Sequence, residues 1–212
     1  MSESERWTNR ADNIRPGSYV MGYWEAESNF RQIADQIRQE FSARQPLSDA
    51  AQAMASQIEI ADQSVAIHIR RGDRTTEVEP QGLCPPQHFH HGWKALQQKY
   101  PHATPFIFSD DMEAAKFLAA QIDGAIIAEK PGEISAIEGF RIMQRCQHCV
   151  LSNRTFGWWS AWLAPHQQKT VIVPETWDLS AQTKFKKFGP SNWIVLNTPL
   201  VTPEEYQSQS TA

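Results

Sequence analysis

Cysteine is scarce in this chain. Cys84, Cys146 and Cys149 are too few, and of odd number, for a disulfide framework, so reduced thiols are expected. No apolar run approaches the ~18 residues of a membrane-spanning helix. The opening Met1-Ser2-Glu3-Ser4-Glu5-Arg6 lacks the basic-then-apolar layout of a signal peptide, which predicts a cytoplasmic chain. A basic excess is missing too: 20 Lys and Arg against 24 Asp and Glu leave a net charge of -4. General nucleic-acid surfaces carry surplus cations to displace counterions, so none is expected here and any anion site must be local. Neither a Gly-x-x-x-x-Gly-Lys phosphate loop nor a Gly-x-Ser-x-Gly elbow occurs, which argues against a kinase or phosphatase built on those motifs.

What remains is a 212-residue chain, 41% hydrophobic and 10% aromatic, long enough for one good core. Phe30, Ile33, Ile37 and Phe41, then Leu47, Ala51, Met54 and Ile58, recur at helical spacing around Gln45-Pro46 and predict two amphipathic helices. Short apolar runs follow at Val65 to Ile69, Phe106 to Phe108, Ala125 to Ala128, Cys149 to Leu151 and Val171 to Val173. Between them lie helical lengths near His88 to Lys99, Met112 to Gln121, Ile134 to Cys146 and Phe156 to Leu163. Strand alternating with helix predicts an α/β fold with a doubly wound parallel sheet, whose ligands bind beyond the carboxyl ends of the strands. Past Pro174, the residues Trp177, Phe185, Phe188 and Trp193 predict an aromatic-anchored extension, and the polar stretch from Pro203 onward predicts a frayed tail.

Polar clusters fall at those carboxyl ends. Arg70-Arg71-Gly72-Asp73 follows the first strand, Ser109-Asp110-Asp111 the second and Ser152-Asn153-Arg154-Thr155 the fourth. His68 and Arg70 share a strand face and can address one ligand. Arginine forks bind phosphate oxygens in pairs, so the three clusters together predict a diphosphate or nucleotide site. A structural Arg–Asp ion pair is the bland alternative for the first cluster alone. Thr155 or Asn153 is a candidate cap for the helix that opens there, whose free N–H groups suit a phosphate. Asp110 or Asp111 is a candidate cap for the helix starting near Met112.

Cys146-Gln147-His148-Cys149, with His88, His90 and His91, does not make the two spaced ligand pairs of a zinc site; the cysteines are expected in the core and the histidines on a largely solvated helix start. Trp158, Trp159 and Trp162 are likewise expected to be core, with one of the first two the less certain.

His68-Ile69-Arg70-Arg71-Gly72-Asp73, Phe106-Ile107-Phe108-Ser109-Asp110-Asp111 and the run Cys146 to Leu163 resemble, in order and spacing, the α-1,2-fucosyltransferases of glycosyltransferase family 11. Gly22-Tyr23-Trp24 followed by Phe30 is similar to the family's lead-in, and Pro174 to Trp177 to its closing strand. The resemblance implies a Rossmann-like donor domain of a GT-B type enzyme that moves L-fucose from GDP-fucose to the 2-hydroxyl of a galactose-like acceptor, with inversion and without metal or other cofactor. It implies His68, Arg70, Arg71, Ser109, Asp110, Asn153, Thr155 and Phe156 as donor-binding residues. Arg70 and Asp73 are implied as catalytic, Arg70 on the β-phosphate and Asp73 positioning the acceptor or orienting an arginine. It further implies a galactose-containing glycan as partner and a place in the cytoplasm or at the periphery of a membrane where glycans are built.

Departures accompany the likeness. The family usually carries serines where this chain has Arg154 and Gly157, and an Asp near Glu138-Gly139-Phe140. The family's Gly-Gly-Leu-Gly-Asn-Gln opening motif is absent. The expected organisation is therefore a helical lead-in and inter-domain remnant over 1–62, a GDP-fucose-binding domain over 63–200 and a polar tail over 201–212. Two function classes follow: a fucosyltransferase, or a non-catalytic GDP-sugar-binding module lacking its acceptor domain.

Overall fold

Along β1 (Gln63–Ile69), Val65, Ile67 and Ile69 point to one face while Ala66 and His68 point to the other. The same sorting runs through β2 (Ala103–Ser109), β4 (His148–Leu151) and β5 (Val171–Pro174). Ile107, Val150 and Ile172 join the first apolar layer, and Phe106, Phe108, Cys149, Leu151, Val171 and Val173 join the second. Strands buried on both faces need helices on both faces, which is the arrangement of a parallel sheet. Here α3 (Pro86–Lys99) and α4 (Met112–Ala119) cover the first layer, and α2 (Asp49–Ile60), α5 (Ala136–Met143) and α6 (Thr155–Leu163) the second.

The computed structural model describes residues 15–19, 24–71, 82–129, 131–179, 182–187 and 189–210. Among them, six strands pair in parallel in the order β3-β2-β1-β4-β5-β8, with β3 at Ile126–Ile127 and β8 at Ile194–Leu196. The chain winds outward from β1 to β3, returns to the other side of β1 for β4, and winds outward again. The crevice between β1 and β4 is thus the topological switch point, where such sheets bind ligands. No helix among the described residues is long and apolar enough to cross a membrane.

Close packing holds α3 on the sheet. A Cβ on Gly92 would lie 2.5 Å from Val150 Cγ1. Gly92→Ala is accordingly expected to lower stability by about 1–3 kcal/mol, the usual cost of overpacking, even though alanine is the better helix former. A urea midpoint equal to or above wild type would show that the helix is not seated this tightly.

Several elements depart from the sequence reading for local reasons. The helix expected from Phe30 begins as two 3-10 turns and leaves only α1 (Ala34–Glu40), because Ile33 and Phe41 stay exposed and supply little burial. The helix expected from Ile134 to Cys146 shortens to α5, whose start is fixed by the reciprocal Ser135–Glu138 capping box. Within the aromatic extension, the β5 to β8 crossover runs through an antiparallel hairpin, β6 (Thr176–Asp178) with β7 (Thr183–Lys184), and returns to the sheet as a sixth strand.

The expected frayed tail is instead a helix, α7 (Pro203–Ser210). Thr202 and Glu205 cap it reciprocally at 2.8 and 3.3 Å, Val201 pairs with Leu83, and Tyr206 is buried. His88 is fully buried rather than solvated. Its Nε2 lies 3.0 Å from the Leu151 carbonyl and burial lowers it to about 4, so it is a neutral core histidine that donates to that carbonyl. Cys84, Cys146 and Cys149 are free and buried, and burial raises all three thiols, to about 12 for Cys84 and Cys149. Trp158 and Trp162 are core and Trp159 is half-buried.

Candidate functional site

A cleft of about 520 Å³ opens beyond the carboxyl ends of β1, β2 and β4. Its lining includes His68 on β1 and Arg70 just after it, Ser109 at the end of β2 and Asp110 just after it, and Arg154, Thr155 and Phe156 at the start of α6. The three polar clusters of the sequence therefore meet at the switch point.

Strand alternation sets which side chains enter. His68 and Arg70 lie on the α6 side and line the cleft. Arg70 Nη1 meets Asp110 Oδ2 at 2.5 Å, and Asp110 Oδ1 accepts the Arg71 backbone N–H at 2.9 Å, so one carboxylate fixes the turn after β1. The guanidinium of Arg71 is carried to the opposite side. It stacks over the Tyr206 ring at 4.3 Å with Nη1 3.6 Å from Asp111 Oδ2, away from the cleft-lining residues. Asp111 caps α4 by accepting from the Glu113 and Ala114 N–H groups, which leaves Asp110 as the acid facing the cleft. Gly72 and Asp73 lie outside the described residues, as do Gly22, Tyr23 and Phe188.

The start of α6 has no side-chain cap, so neither Asn153 nor Thr155 serves as one. Asn153 is buried and ties two loops together instead, donating to the carbonyls of Trp177 at 2.9 Å and Gly82 at 3.3 Å. Arg154 occupies the cap position and is also buried, held at 2.6 Å from the Asn153 carbonyl and 2.9 Å from that of Gly82. A guanidinium and the positive end of a helix dipole thus stand together at the cleft wall. The sequence places Arg154 within the third polar cluster but does not single it out as a donor-binding residue; its place on the turn between β4 and α6 is the available signal.

His68 is stacked on Phe156, centroids 5.5 Å apart, with Nδ1 3.2 Å from Ser152 Oγ. Burial, reinforced by the charges of Arg70 and Arg154, lowers it to about 3, so the ring is neutral near pH 7. It presents an aromatic edge and hydrogen-bonding nitrogens rather than charge. A Cβ on Gly157 would sit 2.8 Å from His68 Nδ1, so glycine at this position makes room for the imidazole.

Two acids absent from the sequence reading complete the surroundings. Glu129, after β3, lines the cleft and accepts the Ser109 backbone N–H at 3.1 Å. Burial raises it to about 7 and the Asp110 charge adds to the shift, while the Ser109 N–H and Arg70 oppose it. Glu25 is buried behind α6, where its Oε2 accepts the Trp177 indole N–H at 2.9 Å. Its burial outweighs the Thr155 hydroxyl, the Trp177 indole and the Arg154 charge and also raises it to about 7.

A raised carboxyl pKa means that the folded state keeps a proton which the unfolded state releases. Stability is then lost as pH rises from the ordinary 4.5 toward about 7. Glu25→Gln, which stays neutral, is expected to remove on the order of 1–3 kcal/mol of that loss between about pH 5 and pH 8. Urea unfolding of both proteins at the two pH values checks this; parallel curves would contradict a buried, titrating Glu25.

Comparison with known proteins adds an independent line. The profile of the family described as Glycosyl transferase family 11 matches residues 13–197. An alpha-1,2-colitosyltransferase of Escherichia coli is 26% identical over 202 residues, covering 91% of this chain and 67% of that protein. Galactoside alpha-(1,2)-fucosyltransferase 1 of Oryctolagus cuniculus is 28% identical over 157 residues, covering 64% of this chain and 39% of that protein. Among solved structures, the fucosyltransferase NodZ from Bradyrhizobium superposes with a TM-score of 0.42 at 13% identity, covering 76% of this chain and 65% of that one.

Proposed function

This chain belongs to glycosyl transferase family 11, and from that premise we propose that it binds GDP-fucose as the donor half of a GT-B type enzyme. The enzyme moves L-fucose to the 2-hydroxyl of a galactose-containing glycan with inversion. The observation that carries the reading is that Arg70 and Arg154 both line a cleft whose wall includes the start of α6, which has no side-chain cap.

Departure of GDP leaves a diphosphate that gains negative charge as the glycosidic bond breaks. Arg70, oriented by Asp110, and Arg154, oriented by two carbonyls, are fixed before the reaction. Preorganised donors of this kind stabilise developing charge by about 2.7–4 kcal/mol each. The α6 N–H groups suit the same oxygens. With two arginines and a helix terminus, the positive charge that a metal supplies elsewhere comes from the chain itself, and the reading takes no metal. Neutral His68 and Phe156 offer stacked aromatic surface beside the phosphates. Asp73 keeps the role inferred from the sequence, positioning the acceptor or orienting an arginine.

The chain spans 67% of the length of the colitosyltransferase and 39% of that of the fucosyltransferase, and the second reading is a module that binds the donor without transferring it. Incubation with GDP-fucose and a β-galactoside in EDTA, with the product analysed by mass and linkage, separates the two. A 2-O-fucosylated product supports transfer. GDP-fucose left intact by a chain that binds it supports the donor module.

A further inference from the structure

The cleft lining is chemically divided. Arg70, Arg154 and Thr155 supply cationic and polar groups, whereas the segment carrying Glu129, Pro131, Ile134 and Ala136 sets an acid among mostly apolar groups. An apolar slot with one precisely held polar group is how a protein accommodates and identifies a flat heterocycle.

Glu129 is built into that slot. Its Oε2 accepts the Ser109 N–H at 3.1 Å, which fixes the carboxylate, and none of the ion pairs among the described residues includes it. Its Oε1 lies over α5, where a Cβ on Gly139 would approach it to 2.9 Å. Gly139 stands inside the eight-residue α5, where glycine costs about 1 kcal/mol relative to alanine. Any larger residue at 139 would meet the carboxylate. Oε1 has no hydrogen-bond partner among the described residues, and on a partly buried residue of the cleft lining it is open to a donor from a bound ligand.

We propose that Glu129 identifies the base of the bound nucleotide diphosphate by accepting the adjacent N–H groups that guanine alone among the common bases presents at N1 and N2, and so selects GDP. This rests on the nucleotide-binding reading above. Adenine and the pyrimidines lack that pair of donors, hypoxanthine lacks the 2-amino group, and xanthine replaces it with an acceptor.

Glu129→Gln gives the test a positive arm. The Ser109 N–H requires the amide oxygen at the Oε2 position, so the amide nitrogen falls at Oε1 and becomes a donor. It then opposes guanine and suits the 2-oxo group of xanthine. Wild type and E129Q are titrated calorimetrically in EDTA with GDP, IDP and XDP at about pH 8, where the Glu129 carboxyl, raised to about 7, is ionised. Wild type is expected to prefer GDP over IDP by about 10- to 100-fold, the range for a hydrogen bond to a charged group. E129Q is expected to lose a similar factor for GDP and to bind XDP more tightly than wild type does. Undiminished GDP binding by E129Q, or an equal loss for all three nucleotides as a ribose contact would give, overturns the proposal and leaves the donor site standing. If folded wild type binds none of the three, the nucleotide reading itself falls and this inference with it.

Discussion

Arg70→Ala is expected to weaken metal-free binding of GDP by about 2–5 kcal/mol, the range for removing one member of a desolvated charged contact. Two effects combine. The diphosphate loses a guanidinium that Asp110 holds in place at 2.5 Å, and Asp110 is left facing the ligand as a carboxylate without that counter-charge. Arg71→Ala should be much milder toward GDP, because its guanidinium stacks on Tyr206 on the far side of the strand. Calorimetry on both variants, with thermal unfolding as a control for folding, checks this contrast. Equal losses, or a loss below about threefold for Arg70→Ala, would place the diphosphate elsewhere.

The second large effect concerns the helix behind the site. Trp158→Ala is expected to cost about 3–5 kcal/mol of stability. Trp158 is fully buried on α6, packed edge-on against Phe30 at 6.2 Å and tilted against Trp193 at 5.7 Å, so its removal opens a cavity between the lead-in, the helix and the extension. Its indole nitrogen has no hydrogen-bond partner among the described residues. Trp158→Phe, which keeps much of the apolar volume and deletes an unsatisfied donor, is expected to cost less than about 2 kcal/mol. Urea denaturation resolves the two; similar losses would mean that the indole nitrogen is satisfied or that the ring packs loosely.

How far the sequence was legible follows from which interactions are local. The runs at Val65 to Ile69, Phe106 to Phe108, Cys149 to Leu151 and Val171 to Val173 are strands in the structure, because continuous apolar residues bounded by polar turns have few other uses in a chain of this composition. Ile194-Val195-Leu196 is as long as three of those runs, but it falls in the aromatic extension outside the strand–helix alternation, and it is a strand because β5 offers it an edge. The α7 start was legible in Thr202-Pro203-Glu204-Glu205, which has a capping pair with proline at the first helical position, but overall polarity outweighed that signal.

In the site, strand parity placed His68 and Arg70 together, and the same parity sends Arg71 to the other face, although the sequence reading grouped it with the donor residues. Asp111 takes the capping role expected of one of the two acids, while Asp110 pairs with Arg70, a contact not legible in the sequence. Glu25 and Glu129 were not legible. Each is a lone acid whose meaning comes from partners far along the chain: Trp177 for one, Ser109 and Gly139 for the other.

The central claim is that the crevice between β1 and β4 holds a guanosine diphosphate through the chain's own arginines. The most direct measurement is calorimetric titration of the wild-type chain with GDP in EDTA, with circular dichroism establishing that the chain is folded. Saturable binding at a single site, lost in Arg70→Ala, is the predicted result. A folded chain that takes up no GDP without a divalent cation would contradict it.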